Sequence, residues 1–202
     1  MNAPVRNVDV RGLPDHAYGL RTVLGWGTLG FIAIEGTVFA TLVASCLYGY
    51  ARAELWPPPP FGPSLLVFGV VNTVLLLLSL LPNVLCRRAA ETQNLPRVRG
   101  CLLAMLALEV AFLVVRGYEF AGLEVRWDDN FYGSILWTML AAHTLHLFAD
   151  VVETAVLFAL AYRRGIRPHR FADIHDNATY WYFAVVAWLP LAALIYVLPR
   201  LG

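Results

Sequence analysis

Several patterns typical of catalytic or metal-binding proteins are missing from this 202-residue chain. It has no lysine, so all fifteen basic residues are arginine. Its three cysteines, Cys46, Cys86 and Cys101, form no CxxC pair and no metal-ligand spacing, which leaves packing as their expected role. No Gly-x-Ser-x-Gly elbow, P-loop or dinucleotide fingerprint is present. These absences indicate that the polar groups of this chain organise neighbouring subunits, protons or lipids rather than catalyse the breaking of bonds.

The arginines form no basic block on a soluble face, so nucleic acid is not expected as a partner. The N-terminal tail and the second and fourth predicted loops carry eleven of them: Arg6, Arg11, Arg21, Arg87, Arg88, Arg97, Arg99, Arg163, Arg164, Arg167 and Arg170. The other side carries four: Arg52, Arg116, Arg126 and Arg200. By the positive-inside rule, the N-terminus is predicted to be cytoplasmic and the C-terminus outside.

The composition predicts a membrane protein. The chain is 59% hydrophobic, with a mean hydropathy of +0.62, which is too apolar for a soluble domain. Five apolar stretches are long enough to cross a bilayer, and they lie at about residues 24–49, 64–86, 99–118, 132–162 and 177–198. We therefore predict an all-α bundle of five transmembrane helices in a single membrane domain, residues 24–202. Residues 1–23 lack a signal-peptide pattern and are expected to form a short cytoplasmic tail.

The fourth stretch carries a polar stripe. At 100° per residue, His143, His146, Asp150 and Glu153 fall within about 80° of each other on an apolar helix. Ionisable groups in hydrocarbon cost several kcal/mol unless they are paired or turned into protein. The stripe is therefore expected to face other helices, another subunit, a lipid headgroup or water.

Other polar residues lie in the remaining stretches. Glu35 is a lone carboxyl in the first stretch, and it is either interhelical glue or part of an internal cavity or lipid niche. In the third stretch, Arg116 shares a face with two carboxylates and can pair on its own helix or across to Glu153 or Asp150. That face is either an ion-paired packing seam or a proton path. Its carboxylates are Glu109 and Glu119.

The second stretch offers interhelical hydrogen bonds worth on the order of 1 kcal/mol each. The side chains that offer them are Asn72, Thr73 and Ser79.

The two histidines in the predicted spans cannot hold a haem between them, because side chains three residues apart on one helix cannot reach opposite faces of a porphyrin. A metal is harder to dismiss, since His143 and His146 have carboxylates nearby. A dinuclear carboxylate bundle, however, repeats the motif Glu-x-x-His on two helices, whereas this chain has His-x-x-His on one helix only. We therefore predict no catalytic, cofactor-binding or metal residue in this chain, and keep a self-sufficient transporter or metal enzyme as an alternative.

Several motifs, in order along the chain, resemble subunit III of the haem–copper respiratory oxidases, the cytochrome c oxidase family. Glu35 stands at the glutamate of the family's "FIxSE" helix, and His143 to His146 is similar to "HGLH". The other matching segments are Trp56-Pro57-Pro58 with Asn72-Thr73, Tyr118-Glu119-Phe120 with Tyr132-Gly133-Ser134, and Tyr180-Trp181-Tyr182-Phe183.

The chain also departs from the family pattern, which marks it as a divergent member. Thr144 and Asp150 stand at glycine positions, and Arg116 stands at a glutamine position. Tyr182 and Val185 replace a histidine and an aspartate. Five helices with the N-terminus inside resemble the family form that lacks the first two of seven helices.

The resemblance implies a cofactor-free, non-catalytic subunit of a proton-translocating terminal oxidase in a bacterial-type inner membrane. It would bind beside haem-bearing subunit I in a complex with subunit II, hold phospholipids and support proton uptake, with haem and copper in the partners. As part of an oxidoreductase complex it would have no active site of its own. A second alternative is an accessory subunit of a nitric oxide reductase of the same superfamily. The candidate lipid or proton-path residues are Glu35, Glu109, Arg116, Glu119, His143, His146, Asp150 and Glu153.

Overall fold

Polar capping residues mark the start of three of the long helices. In the computed structural model, Thr22 Oγ1 accepts a hydrogen bond from the amide of Gly25 at 2.8 Å. Asn130 Oδ1 accepts one from the amide of Gly133 at 2.8 Å, and Asn94 caps the third helix in the same way. Each cap satisfies a backbone N–H that lacks an intrahelical acceptor. The structure describes residues 18–19, 22–163 and 169–201, with His169 described by its backbone alone.

Five long helices make up the described chain, and the prediction of an all-α membrane fold is confirmed. They are α1 (Val23–Arg52), α2 (Leu66–Glu91), α3 (Leu95–Ala121), α4 (Phe131–Tyr162) and α5 (His169–Ala192). A π-helical turn (Ala193–Val197) and a 3₁₀ turn (Leu198–Arg200) extend α5. All five are long and apolar enough to cross a membrane.

The observed helices extend beyond the predicted apolar stretches. The prediction for α5 was wrong by about two turns, since it begins at His169 rather than near residue 177. Hydropathy finds the apolar part of a helix, whereas the helix itself is defined by backbone hydrogen bonds, which continue through polar turns. An Arg170–Asp173 ion pair of 2.9 Å, one turn apart, joins side chains in this polar first part of α5.

The α5 helix lies at the centre of the bundle. In an apolar 18-residue stretch of the span Arg170–Arg200, half of the residues are buried, compared with 17% in the corresponding stretch of α1. Two indole N–H groups of α5 donate to α2: Trp181 Nε1 to Ser79 Oγ and Trp188 Nε1 to Thr73 Oγ1, both at 2.8 Å. With Asn72 donating to Glu119 at 3.2 Å, the interhelical bonds predicted for the second stretch are confirmed.

Arg116 was counted among the arginines of the outer side, but it lies within α3 and is only 1% exposed. A buried, ion-paired arginine reports on helix packing rather than on which side a loop faces. The predicted orientation of the termini therefore depends on the remaining arginines and stays a prediction.

Two glycines allow a test of helix packing. A Cβ added at Gly133 would lie 2.1 Å from the Arg126 carbonyl oxygen, whereas one added at Gly117 would meet nothing within 4 Å. Because the Arg126 backbone cannot move away easily, we expect Gly133→Ala to lower the free energy of unfolding by about 1–3 kcal/mol. Gly117→Ala should be neutral or stabilising by up to about 1 kcal/mol. Thermal unfolding in detergent would measure both, and equal melting temperatures would contradict the packing described.

Candidate functional site

A cavity of about 740 Å³ lies between α1, α4 and α5. It extends from Glu35 and His146 to the end of the bundle where α4 stops and α5 begins, at Leu160 and Arg170. Most of the wall is apolar, contributed by side chains such as Phe31 and Leu157. Its polar wall is formed by Glu35, His146, Asp150, Glu153, Asp173 and Asp176.

Glu35 is held by one residue from each of the other two helices of the cavity. Its Oε1 lies 3.0 Å from His146 Nε2, and its Oε2 accepts a hydrogen bond from the Tyr180 hydroxyl at 2.5 Å. His146 Nδ1 lies 2.6 Å from the Ala142 carbonyl oxygen, so this nitrogen carries a hydrogen. A favourable contact between Nε2 and Oε1 then requires one further proton between them. The pair is therefore either an imidazolium with a carboxylate or a neutral imidazole with a carboxylic acid.

Asp150 lies one turn along α4 from His146. It is 1% exposed, and its Oδ1 accepts a hydrogen bond from Asn177 Nδ2 at 3.0 Å. Its Oδ2 has no hydrogen-bond partner in the described part of the chain. Glu153, by contrast, is exposed on the cavity wall. In this part of the predicted stripe, Asp150 is therefore packed against α5, while Glu153 faces the cavity.

Glu109 does not line the cavity. It is 2% exposed, and its Oε1 accepts a hydrogen bond from Thr154 Oγ1 at 3.2 Å, which joins α3 to α4. Thr154 lies one turn beyond Asp150, so Glu109 sits behind the cavity wall, and its Oε2 has no partner among residues 18–19, 22–163 and 169–201.

The remaining candidates belong to a second cluster. Arg116 pairs with Glu119 on its own helix, with Nη1 2.8 Å from Oε2. Within the described chain no ion pair joins Arg116 to Asp150 or Glu153, so of the two pairings considered only the first is found. His143 is fully buried and packs on Trp188, which also contacts Arg116. The polar residues predicted as one stripe thus divide between two environments.

Sequence reasoning missed the contribution of α5 to both clusters. Tyr180 was noted only within a segment that matches the family pattern, yet it donates to Glu35, and Tyr196, in the π-helical turn that extends α5, donates to Glu119. A helical spacing could have pointed to the cavity wall, since Asp173, Asn177 and Tyr180 recur every three or four residues on one face of α5. For Tyr196 the π-helical turn sets the direction of the side chain, and no local pattern announces such a turn.

Comparison with known proteins identifies the family. The family model for cytochrome c oxidase subunit III matches residues 5–199, almost the whole chain. The chain belongs to the cytochrome c oxidase subunit III family. The resemblance found from the motifs is therefore confirmed.

Individual members of the subunit III family are distant from this chain. A probable cytochrome c oxidase subunit 3 of Rickettsia prowazekii is 26% identical, and the alignment covers 96% of this chain and 76% of the relative. The subunit 3 of Rhipicephalus sanguineus is 26% identical over 90% of this chain and 73% of its own length. That of Synechocystis is 23% identical over 86% and 75%. These names support the oxidase assignment over the nitric oxide reductase alternative.

In the described part of this subunit III family member, no three His, Cys, Asp or Glu side chains are grouped to hold an ion. Of the cavity carboxylates, Glu35 and Asp150 contact neutral or histidine partners on neighbouring helices. Chemically, Glu35 and His146 can hold a proton between them. The cavity beside them can accept an elongated amphipathic molecule.

Tyr180→Phe would test the contact that joins α5 to Glu35. Removal of the hydroxyl leaves Oε2 of a buried carboxyl without its donor, so we expect a loss of about 1–3 kcal/mol in stability. Tyr182→Phe, which removes a hydroxyl two residues away, serves as the control. Thermal unfolding of both variants would measure the difference, and a Tyr180→Phe protein as stable as the control would contradict the hydrogen bond.

Proposed function

We propose that this chain is the non-catalytic subunit III of a proton-translocating respiratory terminal oxidase. In this role it stabilises the haem-bearing subunit I, holds phospholipid in the cavity between α1, α4 and α5, and supports proton uptake by its partner. The observation that carries the proposal is the cavity itself, which combines a largely apolar wall with the proton-holding pair Glu35 and His146.

The shape and depth of the cavity support a lipid as its occupant. The α4 helix has 32 residues and spans about 48 Å, well beyond a hydrocarbon core of about 30 Å. The end of the cavity at Arg170 and Asp173 can therefore lie at headgroup depth while Phe31 and Leu145 lie among acyl chains. An amphipathic molecule with a polar end and apolar tails matches this gradient.

Proton handling is supported by the position of Glu35. Its carboxyl is about nine-tenths buried, lines the cavity, and shares a proton with His146. Asp150 and Glu153 continue the polar wall toward the end of the bundle. A series of groups that can each accept and release a proton is the arrangement that proton relays within membranes use. In the family pattern, Glu35 also stands at the carbodiimide-sensitive glutamate.

The redox centres are assigned to partners. His143 Nε2 lies 3.1 Å from the Ala184 carbonyl oxygen, and both ring nitrogens of His146 contact protein groups. We therefore place haem and copper in subunits I and II, and the complex in an inner membrane of bacterial type. The native chain should co-purify with haem proteins, while the isolated chain should show no haem absorbance. A haem spectrum from the isolated chain would contradict the proposal.

Glu35→Ala should shorten the working life of the complex rather than stop oxygen reduction at once. The variant removes the proton-holding pair and a polar anchor of the cavity, but no group that touches oxygen. We expect activity to decay faster during turnover, measured by oxygen consumption over time, with Glu124→Ala at an exposed position as the control. Immediate loss of all activity in an intact complex would overturn this assignment.

Filling the cavity should displace its lipid. Ala149 lines the cavity, so Ala149→Trp would occupy space that we assign to the lipid, whereas Ala33→Trp adds the same side chain to an exposed position outside it. We expect the purified Ala149→Trp complex to retain fewer phospholipid molecules than wild type, by quantitative lipid analysis, and Ala33→Trp to retain the normal number. Unchanged lipid content in Ala149→Trp would count against the lipid role.

A further inference from the structure

The second polar cluster is built around a buried guanidinium. Arg116 is 1% exposed, and its Cζ lies 5.0 Å from the ring centroid of Phe112 and 4.5 Å from that of Trp188. We call the space around it the Arg116 chamber, formed by Arg116, Glu119, Asn72, His143, Phe112 and Trp188. It brings together α2, α3, α4 and α5 and is separate from the cavity described above.

The carboxylate of the chamber has both of its oxygens occupied. Glu119 Oε2 lies 2.8 Å from Arg116 Nη1 and accepts a hydrogen bond from Asn72 Nδ2 at 3.2 Å. Glu119 Oε1 accepts one from the Tyr196 hydroxyl. Gly69 makes room for this contact, because a Cβ there would lie 2.6 Å from the Tyr196 ring. Glu119 thus divides its two oxygens among three partners, and its contact with Arg116 involves Nη1 alone.

Buried donors therefore remain on Arg116. Within the described residues, no guanidinium nitrogen makes a hydrogen bond of good geometry: Nη1 forms an ion pair with Glu119, and the Tyr196 hydroxyl lies near the guanidinium. A guanidinium carries five N–H donors and cannot lose its charge inside a protein. Such donors, buried to this degree, normally have a protein or water partner.

Two buried acceptors without a donor belong to residues that pack around Arg116 and Glu119. His143 Nε2 lies 3.1 Å from the Ala184 carbonyl oxygen, so Nε2 carries the hydrogen and Nδ1 is left as an acceptor. The amide of Asn72 turns Nδ2 toward Glu119, which leaves Oδ1 as an acceptor. Among residues 18–19, 22–163 and 169–201, neither Nδ1 nor Oδ1 has a donor.

The donors and acceptors share one enclosure. His143 packs on both rings that Arg116 contacts, with centroid distances of 4.8 Å to Trp188 and 6.0 Å to Phe112. Asn72 and Arg116 contact the same oxygen of Glu119. Unused donors on one side and unused acceptors on the other require a partner that can both donate and accept.

We propose that the Arg116 chamber binds ordered water, with at least one molecule accepting from the Arg116 guanidinium and donating to His143 Nδ1 or Asn72 Oδ1. Arg116 and Glu119 already balance in charge, and the ring faces of Phe112 and Trp188 repel anions, so a free anion does not fit. The guanidinium excludes a cation. Water matches the remaining requirement, since a buried water typically makes about three hydrogen bonds to otherwise unsatisfied groups.

The inference is independent of the proposed function. It concerns groups that do not line the lipid cavity, and Arg116 stands where the family pattern has glutamine, so the chamber belongs to this chain rather than to the family motif. Its consequence is structural: water connects Arg116 on α3 to His143 on α4 or Asn72 on α2, and so completes a hydrogen-bonded network through the centre of the bundle.

Cryo-electron microscopy of the purified complex, at a resolution that shows ordered water, tests the proposal directly. We expect a non-protein peak about 2.7–3.2 Å from Arg116 Nε or Nη2 and at a similar distance from His143 Nδ1 or Asn72 Oδ1. A guanidinium that donates directly to Nδ1 or Oδ1, with no peak in the chamber, would overturn it. A peak bound only to Arg116, away from both acceptors, would overturn it as well.

A pair of variants adds a second readout. Arg116→Met keeps an unbranched apolar stem and removes the guanidinium with its donors, so the peak and the infrared O–D stretch of the internal water in D₂O should both disappear. Arg99→Met is the matched control, because Arg99 Nε donates to the Ala161 carbonyl at 2.8 Å, outside the chamber. An unchanged band in Arg116→Met would contradict the proposal. If that variant fails to assemble, the wild-type map decides the question alone.

Discussion

The fold depends on one constraint: a polar side chain at membrane depth must find its partner on another helix, because lipid offers none. Here the central α5 helix supplies most of those partners. Its donors reach the four other helices: Tyr180 to Glu35, Asn177 to Asp150, Trp181 to Ser79, Trp188 to Thr73 and Tyr196 to Glu119. Polar pairing, rather than hydrophobicity, therefore specifies which face of each helix turns inward, since apolar side chains are equally at home in lipid.

The ionisable residues serve two different environments. His146 and Glu35 face a cavity that reaches the end of the bundle, and in the proposed function a proton or a lipid exchanges there. His143, only three residues from His146, lies in a closed chamber with Arg116 and Trp188. Phe39 packs against both imidazoles and lies between the two environments. An open cluster suits binding and exchange, and a closed one suits bracing of the helices.

Both environments fit a subunit that acts through a neighbour. In the proposed function, the cavity supplies lipid and proton-handling groups next to subunit I, and the chamber keeps the helices that form the cavity in register. Arg116 is informative because a buried arginine at a glutamine position demands compensation. Glu119 provides the charge, Phe112 and Trp188 provide the ring faces, and we assign the remaining hydrogen bonds to water.

The sequence by itself determined the fold class, the number of helices and the family, because hydropathy, charge placement and ordered motifs are properties of local residue order. It also identified Glu35, Arg116 and the stripe on α4 as polar groups that need partners. The tertiary structure decided which partners they have: Arg116 takes Glu119, Glu35 takes His146 and Tyr180, and Glu153 faces the cavity. Periodicity places a side chain on a face of its own helix, but the rotation and depth of the neighbouring helix, and the π-helical turn that aims Tyr196, arise only when all five helices pack together.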